Sequence, residues 1–327
     1  MSGRRHLRLV LATATAALTA TAVVGIQANA APQVGSGKSA AVIVLMRSQH
    51  PDLKPKIDAV RRDRAVKADQ AGIVADLHSA GATHIQQLDT VSAVAATASQ
   101  SEISRLEANP AVADVVPDKI IRVPSTAGVT AGATQQPGGR AACTSDPSKP
   151  QIEPEALGLT HTDSAHQIAT GKGVKVAFMA DGVDINNPDF IRPDGTPVFA
   201  DYQDFSGDGV NDASGGAEAF GDASSIAAQG NTVFDLSTAL PNAGLPAGCT
   251  FRIEGFAPGA SLVGIKVFGE FGAPESAFVR GIDYAVNVDK VDVINQSFGA
   301  TLFPDGAVDP IALADEAAIA AGVTVVA

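Results

Sequence analysis

The side chains that could do chemistry are unevenly spread along the 327 residues. All six histidines, His6, His50, His78, His84, His161 and His166, precede residue 167, so acid–base chemistry later in the chain has to run without imidazole. Cys143 and Cys249 are the only cysteines, which leaves either one bridge or two unpaired thiols. Carboxylates are abundant instead: residues 141–327 hold 25 Asp and Glu against 8 Lys and Arg, while residues 1–140 hold 10 against 15. Within that acidic half, Glu218-Ala219-Phe220-Gly221-Asp222 places two carboxylates four residues apart, just ahead of Ala223 to Ala228, which reads as helix. Residues so spaced on a helix have Cβ atoms about 5–6 Å apart on one face. If buried, such a pair raises one pKa and shares a proton; if exposed, it is two solvated carboxylates in an acidic loop. A second set, Asp201, Asp204, Ser206, Asp208, Gly209, Asn211 and Asp212, puts oxygens at alternate positions with a glycine after the third, like part of a calcium loop. It lacks a Glu at the twelfth position and flanking helices, which favours a solvated acidic loop. No other cofactor is called for, and calcium is the one candidate metal.

These residues need a framework. Hydrophobic residues make up 45% and charged residues 18%, enough to bury a core, and the length leaves room for two folded units plus processing segments. A net charge of −12 concentrated in the second half argues against nucleic acid or an anionic membrane as partner, because phosphate binding relies on clustered Lys and Arg. Arg4, Arg5 and Arg8, an apolar stretch from Leu9 to Ile26 and Ala28-Asn29-Ala30 form the charged, apolar and small-residue regions of a secretory signal peptide over residues 1–30. A secreted, extracellular product is expected, with no membrane association after cleavage.

Between Lys38 and Val123 the pattern predicts a small α/β unit. Ala40 to Leu45 is a strand-length apolar run, Ile57 to Ala80 has helical spacing, and Val91 to Thr97 is a second strand. Ser99 with Glu102 has capping-box spacing, opening a helix that Asn109-Pro110 ends. Val112 to Val116, extended by Ile120-Ile121, closes the unit. Residues 124–150 are rich in Ser, Thr, Gly, Gln and Pro, a flexible linker and a site for proteolytic nicking. From Lys172 the pattern changes to short buried-strand runs at 174–179, 261–268, 291–295 and 323–326, with helical stretches at 275–288 and 310–321. Strands alternating with helices predict βαβ units and a parallel sheet, hence an α/β fold.

On these motifs the chain resembles a secreted subtilisin-like serine peptidase made as a preproprotein. Residues 38–123 resemble the inhibitor-type propeptide, with Ala93 to Ala96, Glu102-Ile103, Leu106, Asn109-Pro110 and Pro117-Asp118 as its closing pattern. Residues 151–327 resemble the N-terminal part of the peptidase domain. Gly171 to Ala177 followed by Asp181-Gly182-Val183-Asp184 resembles the strand and turn that carry the catalytic Asp; Ala257 to Ala260 and Val293 to Gly299 resemble the next two strands of the family. The resemblance implies a polypeptide substrate held along Ser297, Phe298 and Gly299, and an intramolecular inhibitor and chaperone in the propeptide.

Two departures bear on the chemistry. The family's Asp, two residues before Gly182, is here Ala180, and Asp181 falls one place late; a one-residue shift in a strand turns a side chain to the other face, so the catalytic role is not assigned to Asp181. Where the family has Gly-His-Gly-Thr-His, this chain has Gly221-Asp222-Ala223-Ser224-Ser225. The related serine-carboxyl peptidases, or sedolisins, replace that histidine by a Glu with an Asp four residues on. That likeness implies Glu218 as general base and Asp222 as its orienting partner, with best activity at acidic pH. In both families the nucleophilic Ser lies beyond the strand at 323–326, so the sequence as given is expected to be inactive. The alternative is a pseudopeptidase that binds extended peptides without cutting them.

Overall fold

The computed structural model describes residues 38–54, 57–122, 151–153, 156–209, 218–239, 241–242, 245, 247–299 and 308–327. The expected signal peptide, the linker, Cys143, Asn211 and Asp212 lie outside these residues. Cys249 is buried and disulfide-bonded.

The first unit is a four-stranded antiparallel sheet with two helices. Its elements are β1 (Ser39–Met46), α1 (Ala59–Ser79), β2 (Thr83–Leu88), β3 (Ala93–Ser99), α2 (Gln100–Glu107) and β4 (Val112–Pro117), in sheet order β2-β3-β1-β4. Ser99 caps α2 as its spacing predicted, its hydroxyl accepting the Glu102 amide at 3.3 Å. Along β1 the alternation separates two cores. Val42, Val44 and Met46 pack with Ile73, Leu77, Ile103 and Leu106 beneath the unit's own helices. Ile43 and Leu45 face the other way, into a core that includes Phe278, Val279 and Ile282 of the following domain. The small unit therefore uses one sheet face for itself and one for its neighbour.

A two-residue strand, β5 (Ile120–Ile121), ends the first unit. Then come β6 (Gln151–Glu153), the short helices α3 (Ala156–Leu159) and α4 (Thr162–Ala165), β7 (Lys175–Ala180), β8 (Phe199–Asp204) and α5 (Glu218–Ala227). They are followed by β9 (Phe234–Asp235), α6 (Leu236–Ala239), β10 (Thr250–Ile253), β11 (Ser261–Lys266), β12 (Ala273–Pro274) and α7 (Glu275–Tyr284). The last elements are β13 (Val293–Asn295), α8 (Pro310–Ala320) and β14 (Thr324–Val326). Strands β14-β13-β7-β11-β8 form one sheet in that order, and every pairing in it is parallel. The predicted α/β fold is thus present. Val176, Phe178 and Ala180 face a core with Ala219, Ala223 and Ala227 of α5, while Ala177 and Met179 face the core beneath α7 and α8. Burial on both faces is what makes these strands continuous apolar runs.

Two glycines mark close approaches. A Cβ on Gly264 would lie 2.3 Å from the Tyr202 ring, and Gly272, at φ +106°, would place one 2.3 Å from the Ile121 carbonyl oxygen. The second contact sits where β5 pairs antiparallel with β12, Ala273 opposite Ile121 and Pro274 opposite Ile120.

The structure corrects the sequence at several points. β2 was not foreseen, because its sequence, Thr-His-Ile-Gln-Gln-Leu, is mostly polar. β8 begins where an oxygen-rich loop was read: Asp201 and Asp204 are strand residues, and only positions from Phe205 on leave the sheet. Helix α5 starts at Glu218, five residues earlier than its alanine-rich part suggested, so Glu218 and Asp222 belong to one helix.

Candidate active site

Parallel sheets offer their ligands the crevice beyond the carboxyl ends of the strands. Here that crevice receives the residues after β7, the residues after β13 and the first turns of α5. Asp181 directly follows β7 and is buried, with 4% of its surface exposed. Its carboxylate accepts the Ala219 amide at 2.8 Å, satisfying one of the free N–H groups at the start of α5. The expectation that Asp181 turns away is therefore wrong. Strand alternation ends at Ala180, whose carbonyl is held by the Val267 and Phe268 amides at 2.9 and 3.2 Å, and the chain leaves the sheet with the next side chain aimed at α5. Burial pushes the Asp181 carboxyl up, and the Glu218 charge adds to this against the Ala219 hydrogen bond.

Glu218, the first residue of α5, is exposed. One turn on, Asp222 is partly buried and its carboxyl is pushed up to about 6: burial is the main cause, Glu218 and Asp181 add like charge, and a hydrogen bond from Ser297 opposes them. One Asp222 oxygen, Oδ2, is buried with no hydrogen-bond partner among the described residues. Ser297 is fixed in turn by Asn295, whose Nδ2 donates to its hydroxyl oxygen at 2.8 Å. The structure thus sets Asp181, Asp222 and Glu218 in a series running from buried to exposed.

A cleft of about 410 Å3 is lined by Glu218, Ser297, Phe298 and Gly299, with Phe268 and Arg122 also on its walls. Four residues singled out in the sequence therefore share one cavity, and Asp222 joins them through Ser297. Phe298 is seated against Phe278 and Phe268, with ring centroids 4.5 and 5.9 Å away. Sequence reasoning set Asp181 aside and missed Asn295 and Arg122. Only the sequence neighbourhood of Ser297 could have pointed to Asn295; Arg122 reaches the cleft through the β5–β12 pairing, which is long-range.

The calcium candidate has a different structure from the one its spacing suggested. Asp204 accepts from the amides of Ser206, Gly207 and Gly209 and from the Ser206 hydroxyl at 2.6 Å. Asp201 accepts from the Tyr284 hydroxyl at 2.7 Å, and the ammonium of fully buried Lys266 lies 3.5 Å from Asp208. These carboxylates face hydrogen-bond donors and a cation. Among the described residues, no group of three or more His, Cys, Asp or Glu is arranged to hold a metal ion, and no helix is long and apolar enough to cross a membrane. His166 is partly exposed, and its Nε2 donates to the Phe256 carbonyl at 2.9 Å.

Comparison with known proteins bears on the family and the fold. Residues 171–327 match the subtilase family. No curated protein matches the chain. Among solved structures, fervidolysin from Fervidobacterium pennivorans, a keratinolytic enzyme related to subtilisin, is similar at a TM-score of 0.50 and 16% sequence identity, over 90% of this chain and 40% of that one. At that identity the likeness is one of fold, and this chain spans well under half the length of the enzyme it resembles.

Proposed function

With residues 171–327 a subtilase-family peptidase domain, we propose that the protein is an exported endopeptidase whose acid–base chemistry is carried by Glu218 and Asp222 in place of histidine. The observation that carries this reading is the placement of Glu218 on the cleft wall with Asp222 behind it on the next turn, its carboxyl pushed up to about 6. On this reading a protonated Asp222, one turn behind, orients Glu218, which takes the proton of a serine nucleophile as that oxygen attacks a peptide carbonyl. An extended polypeptide substrate lies along Ser297, Phe298 and Gly299 by strand addition. Calcium is not needed for this chemistry.

Residues 38–123 act, on the same reading, as an intramolecular inhibitor and chaperone, supported by their docking. The Asp118 carboxylate accepts the Ser276 amide and hydroxyl at 2.9 and 2.6 Å, the Lys119 carbonyl accepts the Glu275 amide at 2.9 Å, and Thr90 donates its amide to Asp283 at 2.8 Å. Residues 1–30 direct secretion, and 124–150 are the processing linker.

A pseudopeptidase is favoured by one observation: Ala180 and Asp222 stand where the subtilase pattern has its catalytic Asp and His. A serine-directed fluorophosphonate separates the two readings. Covalent labelling of the full-length protein is expected; peptide binding without labelling would establish the pseudopeptidase instead.

A further inference from the structure

The site contains a third carboxylate that the proposed chemistry leaves unused. Asp181 is buried, and its partner is the second residue of α5, the helix that also carries Glu218 and Asp222. The geometry points to Asp181 as a positioning residue: by accepting the Ala219 amide it fixes the first turn of α5, and with it Glu218 and Asp222, against the end of β7. The inference rests on the carboxylate reading of the site proposed above.

Three features support it. Ala180 packs its methyl group against α5 but has no polar group to offer the helix amides, and its carbonyl is engaged by two amides, so the strand end is pinned and Asp181 follows with a carboxylate that can accept from the helix. A carboxylate at a helix N-terminus is favoured both by the free N–H groups and by the helix dipole. Among the described residues, the side-chain groups that act on Asp181 and Asp222 are Glu218 from α5 and the Ser297 hydroxyl from beyond β13, besides each other. Glu218 and Asp181 both act to keep Asp222 protonated, and Asp181 is the one held in place by a backbone hydrogen bond from the same helix.

Titration of the chain by carboxyl-carbon NMR tests this without any peptide being cleaved. Asp181→Asn keeps an oxygen to accept the Ala219 amide but removes the charge, so the Asp222 midpoint should fall by roughly half a unit to one unit while Ala219 stays protected from hydrogen exchange. Asp181→Ala should speed exchange at Ala219 about tenfold. An unmoved Asp222 midpoint in the first variant, or unchanged Ala219 exchange in the second, would overturn the proposal. Should neither variant fold, the wild-type chain decides: the Ala219 amide proton should move with the Asp181 titration midpoint, and an Ala219 resonance indifferent to it would also overturn the proposal. Absence of fluorophosphonate labelling would refute the peptidase reading alone, whereas the Asp222 midpoint and the Ala219 exchange decide the role of Asp181.

Discussion

Asp222 is the residue on which most of the site converges. Its carboxyl is raised to about 6, so it is neutral at mildly acidic pH and becomes charged as pH rises through that value. If a neutral Asp222 orients Glu218, hydrolysis by the full-length protein falls on the alkaline side with a midpoint near 6. The Ser297 hydroxyl stabilises the charged form, so Ser297→Ala should move that limb to higher pH; pH–rate profiles of the two proteins check the direction, and a limb that moves down would contradict it. This much could be drawn in part from sequence. The four-residue spacing of Glu218 and Asp222 pointed to the pair, and Ser297 was singled out for its cleft position, but its hydrogen bond to Asp222 joins residues 75 positions apart by numbering and leaves no local trace. The direction of the Asp181 side chain was misjudged because period-two reasoning was carried one residue past the end of a strand.

At the scale of elements, the sequence pattern led to the parallel strands that are buried on both faces and to the helices that cover them. It missed elements whose stability comes from their partners. β2 is a polar edge strand, and β8 loses its alternation at a register shift between Leu262 and Val263 of β11, which pairs Phe199 and Asp201 with consecutive residues. The β5–β12 ribbon is two residues long and exists because Gly272 lets the Ile121 carbonyl approach. Gly272→Ala, strained at a positive φ and obstructed by that oxygen, should weaken binding of a separately produced 38–122 segment to the rest of the chain by roughly tenfold or more, measured by calorimetric titration. Gly264→Ala, which drives a methyl group into the Tyr202 ring, should instead destabilise the sheet by about 1–3 kcal/mol, read as a lower chemical-denaturation midpoint with no separate effect on docking.

Across the whole molecule, the two units share a core in which Ile43, Leu45, Leu88 and Ile121 from the first meet Phe278 and Ile282 from the second. Acidic groups lie at and around this seam. Glu275 is 2% exposed and pushed up to about 7, chiefly by burial, with Asp309 and Asp118 adding like charge against Lys119; Asp315, held by Gln296 at 2.6 Å, is pushed up to about 6 by burial. Carboxyls with folded-state values above their unfolded ones keep their protons longer in the fold, so the stability they contribute is present below about pH 4, the unfolded range, and is lost as pH rises through 6 to 7. Thermal midpoints should accordingly decline between pH 5 and pH 8. Glu275→Gln, which cannot ionise, should remove part of that decline and raise the midpoint at pH 8 by about 2–4 °C; a decline as steep as in the wild type would show that Glu275 plays no part in it.

The central claim is that Glu218 and Asp222 do the work that histidine does in most serine peptidases. Its most direct test is an assay of hydrolysis of an unfolded protein by this protein and its Glu218→Gln and Asp222→Asn variants, from about pH 3 to pH 8. The account predicts activity greatest on the acidic side and a loss of about 100-fold or more in Glu218→Gln, with Asp222→Asn also impaired and its alkaline limb no longer set near 6. Hydrolysis by Glu218→Gln at the wild-type rate would contradict it.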